Sequence, residues 1–383
     1  MSTAQIIDFT RPATAQQKAL PDTAQALRLR RGLTQKDVAE MLNKPNSWVS
    51  KIEKGQTSLT GKDLTHYATV LRVKPQLLCE NINPVHEEAV YFRKYSIPEK
   101  IIKLIKAEAA LRAKIITELA QAAGYSLTPK FIEFDTSKTD QSPIDIARIY
   151  RKRWGITNGP IVDIAGHIEN EGVHLSPLPQ GIGKVAGFST RNIDGSCAST
   201  MFNAGLHGDT QRFTLAHEFG HLVMDRLSPE LDTKAIEARA DAFAGELLAP
   251  YMYFKNDIQQ LRTGDIASLM QLSKRWGLHP KSFIVRAKKQ GDISETQSTS
   301  WYKAMGRTNK ILIDATPTPY PVRTNRIGYY INELKEHKWI VPDLEERTLL
   351  FTDELIEIAT PQKWPYKLVS DFGASETPLR LAK

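Results

Sequence analysis

The sequence is poor in cysteine and contains no long apolar run. Its 383 residues include two cysteines, Cys79 and Cys197, in unrelated segments that form no metal-binding or disulfide pattern. No stretch approaches the roughly 20 apolar residues that cross a bilayer. The first ten residues lack the basic start and apolar core of a secretory signal. We therefore expect a cytoplasmic protein that does not enter a membrane.

Charge of one sign dominates. The formal net charge is +8. The composition, 41% hydrophobic and 25% charged, is that of an ordinary globular protein, and 383 residues are enough for two or three domains. Between residues 23 and 79, ten lysines and arginines stand against four acids. A positive excess concentrated in one region is typical of a protein that contacts nucleic-acid phosphates.

The same region has the pattern of a helix-turn-helix. Short helices are predicted over 23–31, 34–42, 46–55 and 60–70, with Pro75 opening another. The residues Thr34-Gln-x-x-Val-Ala39 and Val49-Ser-x-Ile-Glu-x-Gly55 resemble the XRE (phage-repressor-like) family. We expect double-stranded DNA as a partner, although such folds also serve as protein adaptors. The predicted base contacts are Asn46, Ser47, Trp48, Ser50 and Lys51, with Gln35 at the phosphate backbone.

Further along the chain, His217-Glu218-x-x-His221 has the spacing of a helical zinc-peptidase motif. Residues four apart share a helix face, so both histidines can bind one metal ion. Glu218 is then placed to act as general base on a metal-bound water. A bare match of this kind also arises by chance, which makes a third ligand necessary for the interpretation.

A second helical stretch, residues 237–250, offers that ligand. Glu237 would complete a His, His, Glu site for Zn²⁺ with an open fourth position. Asp241, one turn along, could accept the free ring N–H of a ligating histidine. Glu246 lies far along the helix, and we expect it to be an ordinary exposed acid.

These two stretches, 212–221 and 237–250, resemble the ImmA/IrrE family of zinc metallopeptidases over about residues 142–295. The shared features are Phe213-Thr-Leu before the zinc motif and Leu247-Leu-x-Pro250 after the glutamate helix. Asp241 departs from the family's more frequent asparagine, but both residues can accept a hydrogen bond from histidine. The resemblance implies peptide-bond hydrolysis.

Three strands are predicted in this region, over 173–177, 185–189 and 199–203. Zinc peptidases of this general design bind the substrate backbone along an edge strand. The last strand directly precedes the zinc helix, so residues 199–203 are the expected substrate strand, with binding by strand addition.

The predicted fold is multi-domain: an all-α helix-turn-helix domain, an α+β zincin-like peptidase domain and a small α/β C-terminal module. The expected divisions are a flexible tail (1–22), the helix-turn-helix domain (23–80), a helical connector and linker (81–141), the peptidase domain (142–260), a helix-turn-helix-like segment (261–298) and a C-terminal module of unknown role (299–383).

Three of these segments carry further expectations. The connector helix, 98–123, could pack within the chain or mediate a homodimer, the usual state of helix-turn-helix proteins. Residues 261–298 could touch DNA, but we favour a role in supporting the zinc helices. The C-terminal module should contain a helix near 328–337 and a strand near 348–358.

Two functions fit the sequence. The leading hypothesis is a DNA-binding transcriptional regulator fused to a zinc endopeptidase that cleaves one protein partner, a repressor or an antitoxin-like protein, in a stress, phage or mobile-element response. The alternative is a non-proteolytic transcription repressor or antitoxin whose zinc domain is a scaffold or sensor. Sequence identifies neither the substrate nor the group that stabilises the oxyanion.

Overall fold

A computed structural model describes residues 17–82, 98–136, 138–178, 185–191, 197–225, 233–307, 319–324, 326–337, 339, 341–359, 368–369 and 380–381. The helix-rich N-terminal part comprises α1 (Pro21–Arg30), α2 (Gln35–Met41), α3 (Asn46–Glu53), α4 (Gly61–Leu71), a 3-10 helix (Pro75–Cys79) and α5 (Glu99–Ala122). Within the described residues, no helix is both long and apolar enough to span a membrane.

Local sequence signals account for the start of α2. Thr34 accepts a hydrogen bond from the backbone N–H of Asp37, and the Asp37 side chain accepts one from the Thr34 N–H. This capping box satisfies two backbone donors that a helix start leaves unpaired.

The predicted tail needs correction at its end: Ala19 and Leu20 donate backbone hydrogen bonds to Leu59 and Leu78, and α1 already begins at Pro21. Residues 1–16 lie outside the described residues.

A buried ion pair joins the first three helices. Arg28 of α1 contacts Glu53 of α3 through Nε–Oε1 and Nη2–Oε2 distances of 2.5 and 2.8 Å. Gln35 at the start of α2 donates to the same carboxylate at 2.9 Å. Because both charges are buried, loss of either partner would leave the other as an uncompensated buried charge.

Helix α5 contributes to cores on both sides of it. Leu111, Ile115 and Leu119 pack in one hydrophobic core with α1–α4 and the C-terminal helices. Ile105 and Ala109 pack instead against the sheet. The apolar stripe of α5 is therefore buried within the chain and is not available as a dimer interface. The homodimer stays a prediction.

The middle of the chain, residues 143–307, is built around a small sheet and a helical core. The chain runs through α6 (Pro143–Arg153), α7 (Ile164–Asn170), β1 (Val173–Pro177), β2 (Gly187–Arg191), β3 (Ala198–Phe202), α8 (Gly208–Met224), α9 (Thr233–Leu248), α10 (Tyr251–Gln260), α11 (Ile266–Trp276), α12 (Pro280–Lys289) and α13 (Glu295–Arg307). Helices α10–α13 share a core with α6–α9, which agrees with the supporting role favoured for residues 261–298.

The three strands form within two residues of their predicted positions, but their order corrects the choice of substrate strand. The order is β1-β3-β2, with β3 parallel to β1 and antiparallel to β2. The predicted substrate strand, 199–203, corresponds to β3, which is central and has both neighbours paired. The edge strand next to α8 is β2. Local alternation shows that a strand forms, but strand order depends on non-local pairing.

The C-terminal part contains α14 (Arg326–Glu336), α15 (Val341–Thr348), α16 (Thr352–Ala359), and the short antiparallel strands β4 (Leu368–Val369) and β5 (Arg380–Leu381). The expected helix near 328–337 is confirmed. The expected strand near 348–358 is wrong, because that segment contains α16. Asp353 and Glu354 lie in its first turn, where negative charge favours a helix.

We predict that Glu53→Ala destabilises α1–α3 by about 3 kcal/mol, because it leaves Arg28 buried without its partner. Native-state hydrogen exchange over residues 23–55 measures the free energy of opening. The control is Glu40→Ala, which removes the exposed partner of Lys36 and should leave exchange unchanged. Equal protection in wild type and Glu53→Ala would contradict this account of the ion pair.

Candidate metal centre and nucleic-acid interface

Helices α8 and α9 pack closely enough to share one group of polar side chains. At Gly220 of α8, an added Cβ would lie 3.0 Å from Phe243 Cδ1 and 3.5 Å from Ala240 Cα of α9. The absence of a side chain there permits the close approach of the two helices. His217 and His221 of α8 and Glu237 of α9 are thereby brought together, each at most 9% exposed.

The potential ligand atoms of these three residues all lie within 4.8 Å of one another. The two histidine Nε2 atoms are 3.0 Å apart, and each lies 3.5 Å from an oxygen of Glu237. Ligands about 2.1 Å from a tetrahedral zinc ion are about 3.4 Å from each other. The donor types and their spacing therefore fit zinc.

Each histidine is oriented from its other ring nitrogen. Asp241, identified from the sequence, lies 2.9 Å from His217 Nδ1. Asp225, which sequence reasoning missed, lies 2.6 Å from His221 Nδ1, and Arg239 lies 3.5 Å from the second oxygen of Asp225. The signal for Asp225 was its position four residues after His221, on the same face of α8. Once each Nδ1–H donates to a carboxylate, the two Nε2 atoms are the ring positions left to bind a cation.

The pKa shifts reflect this network. Burial opposes protonation of His221, but hydrogen bonds with Asp225 and Glu237 outweigh it and raise its pKa to about 10. Burial also disfavours the charged form of Glu237, yet the two histidines lower its pKa to about 2. Without a metal, protons therefore compensate the carboxylates. A metal ion must displace protons to bind, so acidification weakens its binding.

Glu218 lies beside the three candidate metal ligands and is almost fully buried. Ser189 of β2 donates a hydrogen bond of 2.6 Å to its carboxylate oxygen Oε2. Burial raises the pKa of Glu218 above its usual range, although the neighbouring histidines and Ser189 oppose the shift. A Cβ at Gly187, also on β2, would lie 2.4 Å from Thr214 Cγ2 and 2.9 Å from Glu218 Oε1. The edge strand thus touches the candidate general base, and sequence reasoning missed both Ser189 and Gly187.

Glu246 corrects the expectation of an exposed acid. Its side chain is buried and bonded to Arg148 at 2.9 Å and to Arg286 at 2.7 Å. It also accepts the backbone N–H of Tyr251 at 3.0 Å. Glu246 thereby ties α9 to α6 and α12, which stabilises the helix that carries Glu237.

The predicted DNA-contacting residues divide into two groups. Asn46, Ser47 and Lys51 of α3 are exposed. The amide of Gln35 instead donates to Glu53, and Trp48 packs against Tyr67 and Lys44. Ser50 is partly buried. The structure thus leaves three of the six candidates facing solvent.

Ion pairing reduces the positive charge that this region can present. Glu354 pairs with Arg30 and Arg31 at 2.8 and 2.6 Å, and Arg72 and Lys74 also pair with C-terminal acids. The exposed Lys51, Lys54 and Lys62 make no ion pair with any described residue. The available positive charge is therefore concentrated around the end of α3 and the start of α4.

Comparison with known families finds two matches. Residues 25–78 match a helix-turn-helix family, and residues 168–288 match peptidase family M78, described as the IrrE N-terminal-like domain. No curated protein matches the chain significantly. The first match covers most of α1 and all of α2–α4, and the second contains the metal cluster and Glu218. Both resemblances noted in the sequence are confirmed: a helix-turn-helix match is followed along the chain by an IrrE N-terminal-like match.

Proposed function

We propose that the protein is a DNA-binding transcriptional regulator fused to a zinc endopeptidase that cleaves a specific protein partner. The observation that carries this proposal is the convergence of His217, His221 and Glu237 at tetrahedral spacing, with Glu218 adjacent. A scaffold would not require an acid at that position. The peptidase-family match over residues 168–288 supports the same reaction class.

In this proposal, His217, His221 and Glu237 hold Zn²⁺, while Asp241 and Asp225 orient the histidines. When bound, zinc supplies a Lewis acid that polarises the peptide carbonyl and lowers the pKa of water.

Glu218 accepts a proton as water attacks the carbonyl and then donates it to the leaving amine. Its burial beside β2 keeps the proton transfer away from bulk solvent. The outer edge of β2 would align the substrate backbone by strand addition.

The helix-turn-helix region supplies DNA binding. Asn46, Ser47 and Lys51 are the exposed candidates for contact with bases or phosphates, and Lys54 and Lys62 extend the positive surface. The presence of both activities in one chain favours a regulatory substrate, a repressor or an antitoxin-like protein. Control of a stress, phage or mobile-element response is the setting that fits this combination.

We predict that Glu218→Gln lowers cleavage by about 10²–10⁴-fold while zinc content is unchanged, because glutamine fills the site but cannot accept the proton. The assay incubates wild type and variant with the products of adjacent genes and with the chain itself. Metal analysis of each preparation is the control.

Cleavage by the variant at the wild-type rate would contradict the role of Glu218. If wild type holds zinc but cleaves neither itself nor any of these partners, the non-proteolytic repressor or antitoxin function is favoured instead.

We predict that Asp225→Asn weakens zinc binding by about tenfold, because a neutral acceptor holds His221 less firmly than a carboxylate does. Competition with a chelating indicator measures the affinity. Asp209→Asn is a matched control, since Asp209 is also on α8 and lies 2.7 Å from Nδ1 of His207, the residue before the helix, away from the candidate metal ligands. An equal loss in both variants would show that Asp225 has no specific role.

We predict that Lys51→Ala weakens DNA binding and reduces the salt dependence by about one phosphate contact. Fluorescence anisotropy with a duplex probe at several salt concentrations measures both. Lys138→Ala, an exposed lysine outside the helix-turn-helix region, is the control and should behave as wild type. Identical salt slopes for the two variants would place the DNA surface away from α3.

A further inference from the structure

Ser189 has an unusual concentration of polar contacts for a strand residue. Its hydroxyl lies 2.6 Å from Glu218 Oε2, 3.2 Å from the Glu218 backbone oxygen and 3.3 Å from Thr200 Oγ1. The side chain is 2% exposed, so water does not compete freely for these contacts. A short hydrogen bond to a carboxylate in such surroundings is stronger than one between neutral groups.

The other oxygen of the Glu218 carboxylate is confined by the backbone of the same strand. The position that a Cβ at Gly187 would take lies 2.9 Å from Oε1 and 2.4 Å from Thr214 Cγ2. Gly187 thus leaves just enough room for the carboxylate, and Ser189 holds its second oxygen. Together they restrict the plane in which Glu218 lies.

The face of β2 opposite to the one that carries Gly187 and Ser189 is also packed. Phe188, between Gly187 and Ser189, is fully buried and packs in a cluster with Ile105 and Ala109 of α5. Along one edge, β2 pairs over its whole length with β3. Ser189 therefore projects from a rigid element, as a group that sets the geometry of a reaction must.

We propose that Ser189 is a positioning residue for the general base Glu218, holding the carboxylate in the orientation that receives the proton. This inference rests on the proposed zinc-peptidase function. It goes beyond that function because it assigns a role to the edge strand other than binding the substrate backbone. The competing account is that Ser189 only joins β2 to α8 as part of the fold.

The experiment measures binding of acetohydroxamic acid to the zinc-loaded full chain. This small zinc chelator carries O–H and N–H groups that can donate to a neighbouring carboxylate. The variants are Ser189→Ala, Glu218→Gln and the double variant, which together form a double-mutant cycle. Thr200→Val is the control, because it removes only the longer contact to Ser189. Zinc affinity and the melting temperature of the metal-free protein are measured for each.

We expect Ser189→Ala to weaken acetohydroxamate binding roughly tenfold and to have no further effect in the Glu218→Gln background. The zinc affinity of each variant should equal that of the wild type. Thr200→Val should bind acetohydroxamate as the wild type does. Equal losses in both backgrounds, or no loss in either, would overturn the proposal. Glu218→Gln binding the probe as well as wild type would also overturn it.

An isosteric pair keeps the test decisive if Ser189→Ala does not fold. Ser189→Thr retains the hydroxyl and should preserve binding, whereas Ser189→Val should lose it; equal binding by the two variants would contradict the proposal.

Failure of wild type to bind zinc would defeat the proposed function and this inference together. Normal zinc binding without any dependence on Ser189 would defeat the inference alone.

Discussion

The peptidase region depends on two buried imidazoles whose Nε2 atoms face each other across 3.0 Å. Each ring is fixed from behind by a carboxylate, so neither can rotate away. Two ring nitrogens this close need a proton or a metal ion between them, and Glu237 adds the negative charge that a divalent ion requires. Much of the surrounding structure follows from this constraint: Gly220 permits the close approach of α9, and Glu246 anchors that helix to its neighbours.

Much of the candidate metal centre was predictable because its residues lie on helices. The fixed helical period places His217 and His221 on one face, and a second helix with an acid was sufficient to suggest Glu237 and Asp241. Asp225 obeys the same period and could have been found. Ser189 and Gly187 could not, because they reach Glu218 from a strand whose neighbours are set by non-local pairing.

The same physical distinction separates success from failure elsewhere in the fold. The short helices of the helix-turn-helix region follow from caps, glycines and apolar spacing, and Thr34 caps α2. The order of the three strands, the burial of Glu246 and the pairing of Arg30 with Glu354 depend on contacts between distant segments. No local pattern encodes those contacts. The segment 348–358 was expected to form a strand, although the acids in the first turn of α16 favour a helix.

In the proposed function, α8 and α9 hold one zinc ion through two histidines and a carboxylate. Zinc K-edge X-ray absorption on the purified chain, together with metal quantification, measures both the metal content and the ligands. We expect one zinc per chain, with nitrogen and oxygen ligands at about 2.0–2.1 Å and a histidine signature that disappears in His221→Ala. Sulfur ligands at about 2.3 Å, or a full complement of zinc in His221→Ala, would contradict it.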